Sequence, residues 1–215
     1  MNYGFIGAGN MAGAIIKGMT VGTGSFEGKD IFVYDLNASA AKSLADICKV
    51  NVCSSAEDVI ASSDVLVLAV KPNVLPDVVT QLKNKIIEKS PLVISIAAGK
   101  TLEFLEGLIA KDFPIVRVMP NINAKVGCAT SAFCTTETVS DEQKAIVKKL
   151  FSTVGAVTEL SEKMFSIHSV IGGAAPAFAY LYIDALSRAA VKAGMPKKQA
   201  LELTAQTVLG SAKMV

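Results

Sequence analysis

Gly7-Ala8-Gly9-Asn10-Met11-Ala12 follows directly on the apolar run Tyr3 to Ile6 and leads into residues spaced as one helix face, Ala12, Ile15, Ile16 and Met19. The order is strand, glycine turn, helix. Gly7 permits the tight turn, Gly9 lets the backbone approach a pyrophosphate because no Cβ intervenes, and Ala12 allows close packing of helix on strand. The helix start then presents unpaired N–H groups and the positive end of its dipole to phosphate. A tight strand-to-helix turn with no ligand is the competing reading of the same residues.

Working outward, apolar runs alternate with helical patterns through the first half, the signature of βαβ units and a parallel sheet. The expected strands are Tyr3 to Ile6, Ile31 to Tyr34, Asn51 to Cys53, Val65 to Ala69, Leu92 to Ile96 and Ile115 to Val118. Val65 to Val70 carries no polar alternation, so this strand is expected to be covered on both faces. Ser90-Pro91 and Phe113-Pro114 mark breaks before later strands. After Met119-Pro120-Asn121 the texture changes. Ala129 to Thr135 and Val154 to Leu160 read as further strands, with a helix around Glu142 to Phe151 between them. From about Ser161 only helices are expected: Ala175 to Ala193 and Lys197 to Met214, separated by Gly194-Met195-Pro196. The expected division is residues 1–160 as a dinucleotide-binding domain and 161–215 as a helical domain. The last helical pattern reaches Val215 with neither Gly nor Pro to end it, so it is expected to continue.

The 215 residues carry a formal net charge of +2, with lysines dispersed over helical patterns, so nucleic acid is not an expected partner. The lysine cluster Lys144, Lys148 and Lys149 fits the solvated face of an amphipathic helix. No uninterrupted apolar run reaches the roughly 20 residues needed to span a bilayer, so no membrane is expected. The first strand begins at once, leaving no room for a secretory signal, and a cytoplasmic protein is expected. Cys48, Cys53, Cys128 and Cys134 form no CxxC pair and have no His at ligand spacing, so no metal is expected and the thiols read as buried and reduced. The helical tail is too apolar to lie alone. Burial against a partner in a homodimer, and packing on its own first domain, both answer that.

Gly4-Phe5-Ile6-Gly7-Ala8-Gly9-Asn10-Met11-Ala12, Leu68-Ala69-Val70-Lys71-Pro72, Ser95-Ile96-Ala97-Ala98-Gly99 and Arg117-Val118-Met119-Pro120-Asn121 together closely resemble the pyrroline-5-carboxylate reductases. Gly172-Gly173-Ala174-Ala175-Pro176-Ala177-Phe178 resembles that family's Ser-Gly-Ser-Gly-Pro-Ala-Tyr, and Gln206 to Ala212 its Gln-Thr-x-x-Gly-Ala-Ala. The resemblance implies an α/β fold, a Rossmann-type mostly parallel sheet with a C-terminal all-α dimerisation domain, in a homodimer or a higher homo-oligomer of dimers. It implies reduction of 1-pyrroline-5-carboxylate to L-proline by NADH or NADPH, the last step of proline biosynthesis. A protonated cyclic imine is already electrophilic, so such an enzyme mainly places the imine carbon against the nicotinamide and holds the carboxylate.

Carried over by position, Ile6, Gly7, Ala8, Gly9, Asn10 and Met11 would cradle the pyrophosphate, and Ala69, Val70, Lys71 and Pro72 would line ribose and nicotinamide. Ala97 and Ala98, with Met119, Pro120 and Asn121, would floor the reacting ring. Gly173, Ala174, Ala175 and Pro176 would lie at the substrate carboxylate, which backbone N–H groups near the Pro176 helix start could bind. Lys71 as a solvated strand-end lysine and Asn121 as a turn residue are the plainer alternatives. Gly172 and Ala174 replace the family's serines, Ala175 its second glycine, and Ile122-Asn123 its Thr-Pro. The family's Ser-Pro-Gly-Gly-Thr-Thr loop would follow Val215. No catalytic side chain is assigned, and His168 reads as a packed or capped residue.

Asp35 follows the second strand, where a carboxylate accepts ribose hydroxyls and repels a 2′-phosphate, and Leu36 stands where many relatives carry arginine, so NADH is expected over NADPH. The alternatives are a phosphate site rebuilt from Asn37, Ser39 or Lys42, and Asp35 or Ser39 as a helix N-cap. Competing functions are another NAD(P)-dependent imine or β-hydroxyacid oxidoreductase, weakened because Lys192 has no Asn at helical spacing, or a dinucleotide-binding regulator without catalysis.

Overall fold

A computed structural model describes residues 1–215. Eight strands form one sheet in the order β3-β2-β1-β4-β5-β6-β7-β8. They are β1 (Tyr3–Ile6), β2 (Ile31–Tyr34), β3 (Asn51–Val52), β4 (Val65–Leu68), β5 (Leu92–Ser95), β6 (Ile115–Met119), β7 (Ala129–Thr135) and β8 (Gly155–Glu159). The first six run parallel, β7 turns back antiparallel to β6, and β8 runs parallel to β7. Order reverses between β1 and β4, and at such a switch point the crossovers leave on opposite faces and open a crevice at the carboxyl ends of the strands.

The helices are α1 (Asn10–Lys17), α2 (Ala38–Cys48), α3 (Ala56–Ser62), α4 (Leu75–Lys89), α5 (Leu102–Leu108), α6 (Asp141–Ser152), α7 (Phe165–His168), α8 (Ala175–Lys192) and α9 (Lys197–Lys213). Their starts follow local chemistry. Ser55 and Thr101 cap α3 and α5, and Ser140 with Gln143 forms a reciprocal capping box on α6. Neither Asp35 nor Ser39 caps α2; Asn37 does, accepting the Ser39 N–H. β1, β4 and β5 are buried along their whole length, as their unbroken apolar runs require, because helices cover both faces. One apolar layer joins Phe5, Ile15, Ile16 and Val67 to Phe133 and Phe151; the opposite layer joins Ile6, Leu66 and Leu68 to Val79, Leu82 and Leu105.

The chain divides into two compact units, Met1–Ser169 and Val170–Val215. Residues 161–169, expected from sequence to belong with the helical part, therefore pack with the sheet, because Phe165 is buried against Ala132 and Cys134 of β7. In the second unit α8 and α9 pack on each other, burying Ser187, Ala200 and Thr204, while Phe178, Leu181 and Tyr182 remain more than half exposed. The stretch Glu162–Lys192 is also long and apolar enough to cross a bilayer by length and composition, with a mean hydropathy of 1.3 in its most apolar part. The apolar run is interrupted as the sequence reading has it, by His168, Gly172, Gly173 and Pro176 and by Asp184 and Arg188. Length and composition do not distinguish lipid from a partner helix as the cover for such a face.

The cysteines depart from expectation at Cys128, which is exposed because it follows the left-handed Gly127 (φ 69°) in the turn entering β7, and at the half-buried Cys53. Cys48 and Cys134 are buried, and all four are free. Burial, and then the negative charge of Glu162, push the Cys134 thiol up to about 12, with Arg117 partly opposing. Because the thiolate is the reactive form, a maleimide at pH 7 is expected to label Cys128 rapidly and Cys134 only after denaturation. Mass spectrometry of a labelling time course checks this, and early modification of Cys134 would contradict the packing.

Candidate active site

The parallel registers bring Ile6, Leu68, Ser95 and Arg117 level across β1, β4, β5 and β6, with Tyr34 of β2 level with Ile6. Each following loop therefore opens at one edge of the sheet. From β2 to β5 is three strand spacings, about 14 Å, a width that suits an extended dinucleotide lying across the switch point.

The glycine loop is tied down residue by residue. The Gly7 N–H donates to the Tyr34 carbonyl (2.8 Å), and the Ala8 N–H to Asp35 Oδ2 (2.6 Å). Gly7 adopts φ +107°, and a Cβ there would stand 2.7 Å from the Ala69 carbonyl oxygen, so this turn and the exit of β4 touch backbone to backbone. A Cβ on Gly9, by contrast, would project into open space. That exposed backbone, the first turn of α1 and the absence of any side-chain cap on α1 are what an approaching pyrophosphate requires. The residues present thus fit a dinucleotide, with one adjustment to the expected cradle. The Ala8 N–H is committed to Asp35, which leaves Gly9 and the start of α1 to meet phosphate.

Asp35 holds its carboxylate rigidly, since Oδ1 also accepts the Asn37 N–H (2.8 Å). Leu36 beside it is 88% exposed and offers no charge to a phosphate. Ala69 and Val70 are half-buried at the end of β4; Lys71 is exposed, and its carbonyl accepts the N–H groups of Val74 and Leu75 at the start of α4. Ala97 is buried and Ala98 exposed after β5. Met119 and Pro120 are half-buried, and Asn121 is buried with Oδ1 accepting the Thr130 N–H (3.3 Å), so its side chain ties the turn to β7. Gly173, Ala174, Ala175 and Pro176 lie in the other compact unit, and the free N–H groups expected there are not found: a π-helical turn, Ser169–Ala174, runs directly into α8, so the N–H groups before Pro176 are taken up within a continuous helix.

The pairing of Arg117 with Glu162 escapes the sequence reading, as does the partner of His168. Arg117 is buried on β6, with Nη1 2.8 Å from Glu162 Oε1 and its guanidinium 4.4 Å from the centre of the Phe165 ring. Glu162 Oε1 also accepts the Leu102 N–H (2.8 Å) at the start of α5. His168 is a satisfied, part-buried residue as expected, and its partner is what the sequence did not give: Nε2 donates to the Met119 carbonyl oxygen at 3.1 Å. The one signal in the sequence is an arginine inside the otherwise apolar strand Ile115–Met119, since a buried charge needs a partner.

A doubly wound sheet with a capless glycine-turn helix at its switch point defines a dinucleotide-binding fold. Residues 2–99 match the family model "NADP oxidoreductase coenzyme F420-dependent", and residues 162–215 match "Pyrroline-5-carboxylate reductase dimerisation". The pyrroline-5-carboxylate reductase of Arabidopsis thaliana is 39% identical over 99% of this chain and 76% of its own length; that of Escherichia coli (strain K12) is 37% identical over 99% and 78%. Among solved structures, the Coxiella burnetii pyrroline-5-carboxylate reductase superposes with a TM-score of 0.93 at 34% identity, covering 99% of this chain and 78% of that one. The Plasmodium falciparum pyrroline carboxylate reductase, solved with NADP bound, gives 0.88 at 31% identity, covering 100% and 78%. The chain belongs to the pyrroline-5-carboxylate reductase family. It is an NAD(P)H-dependent oxidoreductase that reduces 1-pyrroline-5-carboxylate to L-proline, and it forms a homo-oligomer.

Proposed function

We propose that this protein reduces 1-pyrroline-5-carboxylate with NADH in preference to NADPH. In this reading the pyrophosphate rests on Gly9 and the start of α1, Asp35 accepts the adenosine ribose hydroxyls, and Ala69 to Pro72 line the ribose and nicotinamide. Ala97 and Ala98, with Met119, Pro120 and Asn121, floor the reacting ring. The cofactor supplies hydride when bound. The protein orients an imine that arrives protonated and holds its carboxylate, which needs no side-chain acid. The functional division is taken near residue 160, with the helical part pairing two chains into a homodimer in the cytoplasm. The exposed apolar side chains of α8 are covered by a second copy, not by lipid or nucleic acid.

The observation that carries the cofactor preference is the fixed Asp35 carboxylate beside the exposed Leu36. A 2′-phosphate near it loses about 2 kcal/mol to repulsion at the effective dielectric of a half-exposed site, about 30-fold in relative affinity. The purified protein is expected to consume NADH faster than NADPH with 1-pyrroline-5-carboxylate, read as loss of nicotinamide absorbance. Asp35→Ser should raise the ratio of NADPH to NADH specificity about 30-fold. An unchanged ratio would remove Asp35 from the discrimination, and nucleotide binding without pyrroline-dependent turnover would overturn the substrate.

A further inference from the structure

We propose that the Arg117–Glu162 ion pair is a positioning device for the substrate floor, clamping the two loops that face the reacting ring to the first turn of the dimerisation segment. The inference rests on the assignment of Met119 to Asn121 as that floor. Glu162 is the first residue of the dimerisation-family match, yet it packs within the sheet unit. Its carboxylate reaches two other elements at once: Oε1 lies 2.8 Å from Arg117 Nη1 on β6 and 2.8 Å from the Leu102 N of α5. Arg117 lies two residues before Met119. Leu102 follows the loop that carries Ala97 and Ala98. One oxygen therefore pins both floor loops.

The far end of the same short segment closes the frame. His168 Nε2 meets the Met119 carbonyl oxygen at 3.1 Å, and the Ser169 hydroxyl lies 3.1 Å from Met119 Sδ. Between the two ends, Phe165 is buried and stacks under the Arg117 guanidinium. Residues 162–169 thus form a brace fastened at Glu162 to Arg117 and Leu102 and at its far end, through His168 and Ser169, to Met119. A planar guanidinium with an ionic partner on one edge and an aromatic face beneath it has few orientations left. Burial adds to this, because a charge with a side chain 10% exposed must keep its partner. The glycine loop and Asp35 lie across β1 and β2, on the other side of β4 and β5, so the clamp acts on substrate placement and not on the nucleotide cradle.

Two variants of the full chain test this. Glu162→Gln keeps an acceptor for the Leu102 N–H but removes the charge facing Arg117. The double variant Arg117→Met with Glu162→Gln removes both charges, leaves a side chain able to pack on Phe165, and so separates the loss of the clamp from the burden of an unpaired buried arginine. In the folded double variant the KM for 1-pyrroline-5-carboxylate is expected to rise about tenfold, a 1.4 kcal/mol effect, while the NADH Kd stays within twofold of the unsubstituted protein. Glu162→Gln should show the same split with a lower melting temperature. A double variant with substrate KM within twofold of the unsubstituted protein overturns the clamp, as does a parallel weakening of NADH. Absence of pyrroline turnover in the unsubstituted protein is a separate outcome, and overturns the substrate reading on which the inference stands.

Discussion

Replacing Gly7 with alanine is expected to weaken NADH binding at least about 100-fold, the effect of roughly 3 kcal/mol. At φ +107° an L side chain is strained by about 1–3 kcal/mol. The new methyl would also stand 2.7 Å from the Ala69 carbonyl oxygen and 3.1 Å from the Val70 nitrogen. These are backbone atoms of the β4 exit and cannot rotate aside. Relief requires the glycine loop to lift away from β4, which separates the turn that meets pyrophosphate from the loop that lines the nicotinamide end. The Ala8 N–H would leave Asp35 in the same movement, because that 2.6 Å bond fixes the loop to the β2 exit. Isothermal titration with NADH checks the prediction, and a dissociation constant within threefold of the unsubstituted protein would contradict the backbone contact.

Placing aspartate at both Phe178 and Leu181 is expected to weaken subunit association about 1000-fold. Both side chains are exposed in the single chain, at 63% and 65%, and lie three residues apart on α8, so they share a face with Tyr182. Apolar side chains at the centre of an interface cost about 2 kcal/mol or more each when lost, and a buried unpaired carboxylate adds to that. Two such changes amount to about 4 kcal/mol, or about three decades in Kd. Because the pair sits in solvent in the isolated chain, folding of the protomer should survive. Sedimentation velocity would then report monomer for the variant; an unaltered dimer would place the interface on another face.

Much of the fold was legible in the sequence, for local reasons. Val65 to Ala69 and Leu92 to Ile96 read as strands from their apolar runs, the first as one covered on both faces because it has no polar alternation, and β4 and β5 are both buried throughout. The glycine turn was legible because Gly7 serves a backbone need that other residues do not meet, at φ +107° and against the Ala69 carbonyl. Asp35 was found at the end of β2 by position alone. Its hydrogen bond to the Ala8 N–H was not, since the two residues are 27 apart in sequence and meet only through the pairing of β1 with β2. The exposure of Cys128 depends likewise on the turn made by Gly127, which composition does not reveal.

The site shows the same division. Periodicity, glycine spacing and motif order determined the class of fold, the crevice and the loops that border it, because each depends on residues within a few positions of one another. Tertiary structure alone decided how those loops are held. Arg117 and Glu162 are separated by 45 residues, and Met119 and His168 by 49. Nothing in a linear pattern pairs a strand arginine with a glutamate that opens a distant helical turn. The pairing follows from burial: once β6 carries a charge into the interior, the chain must bring an opposite charge to it. The segment 162–169 is thereby drawn onto the sheet, although its sequence belongs to the dimerisation match.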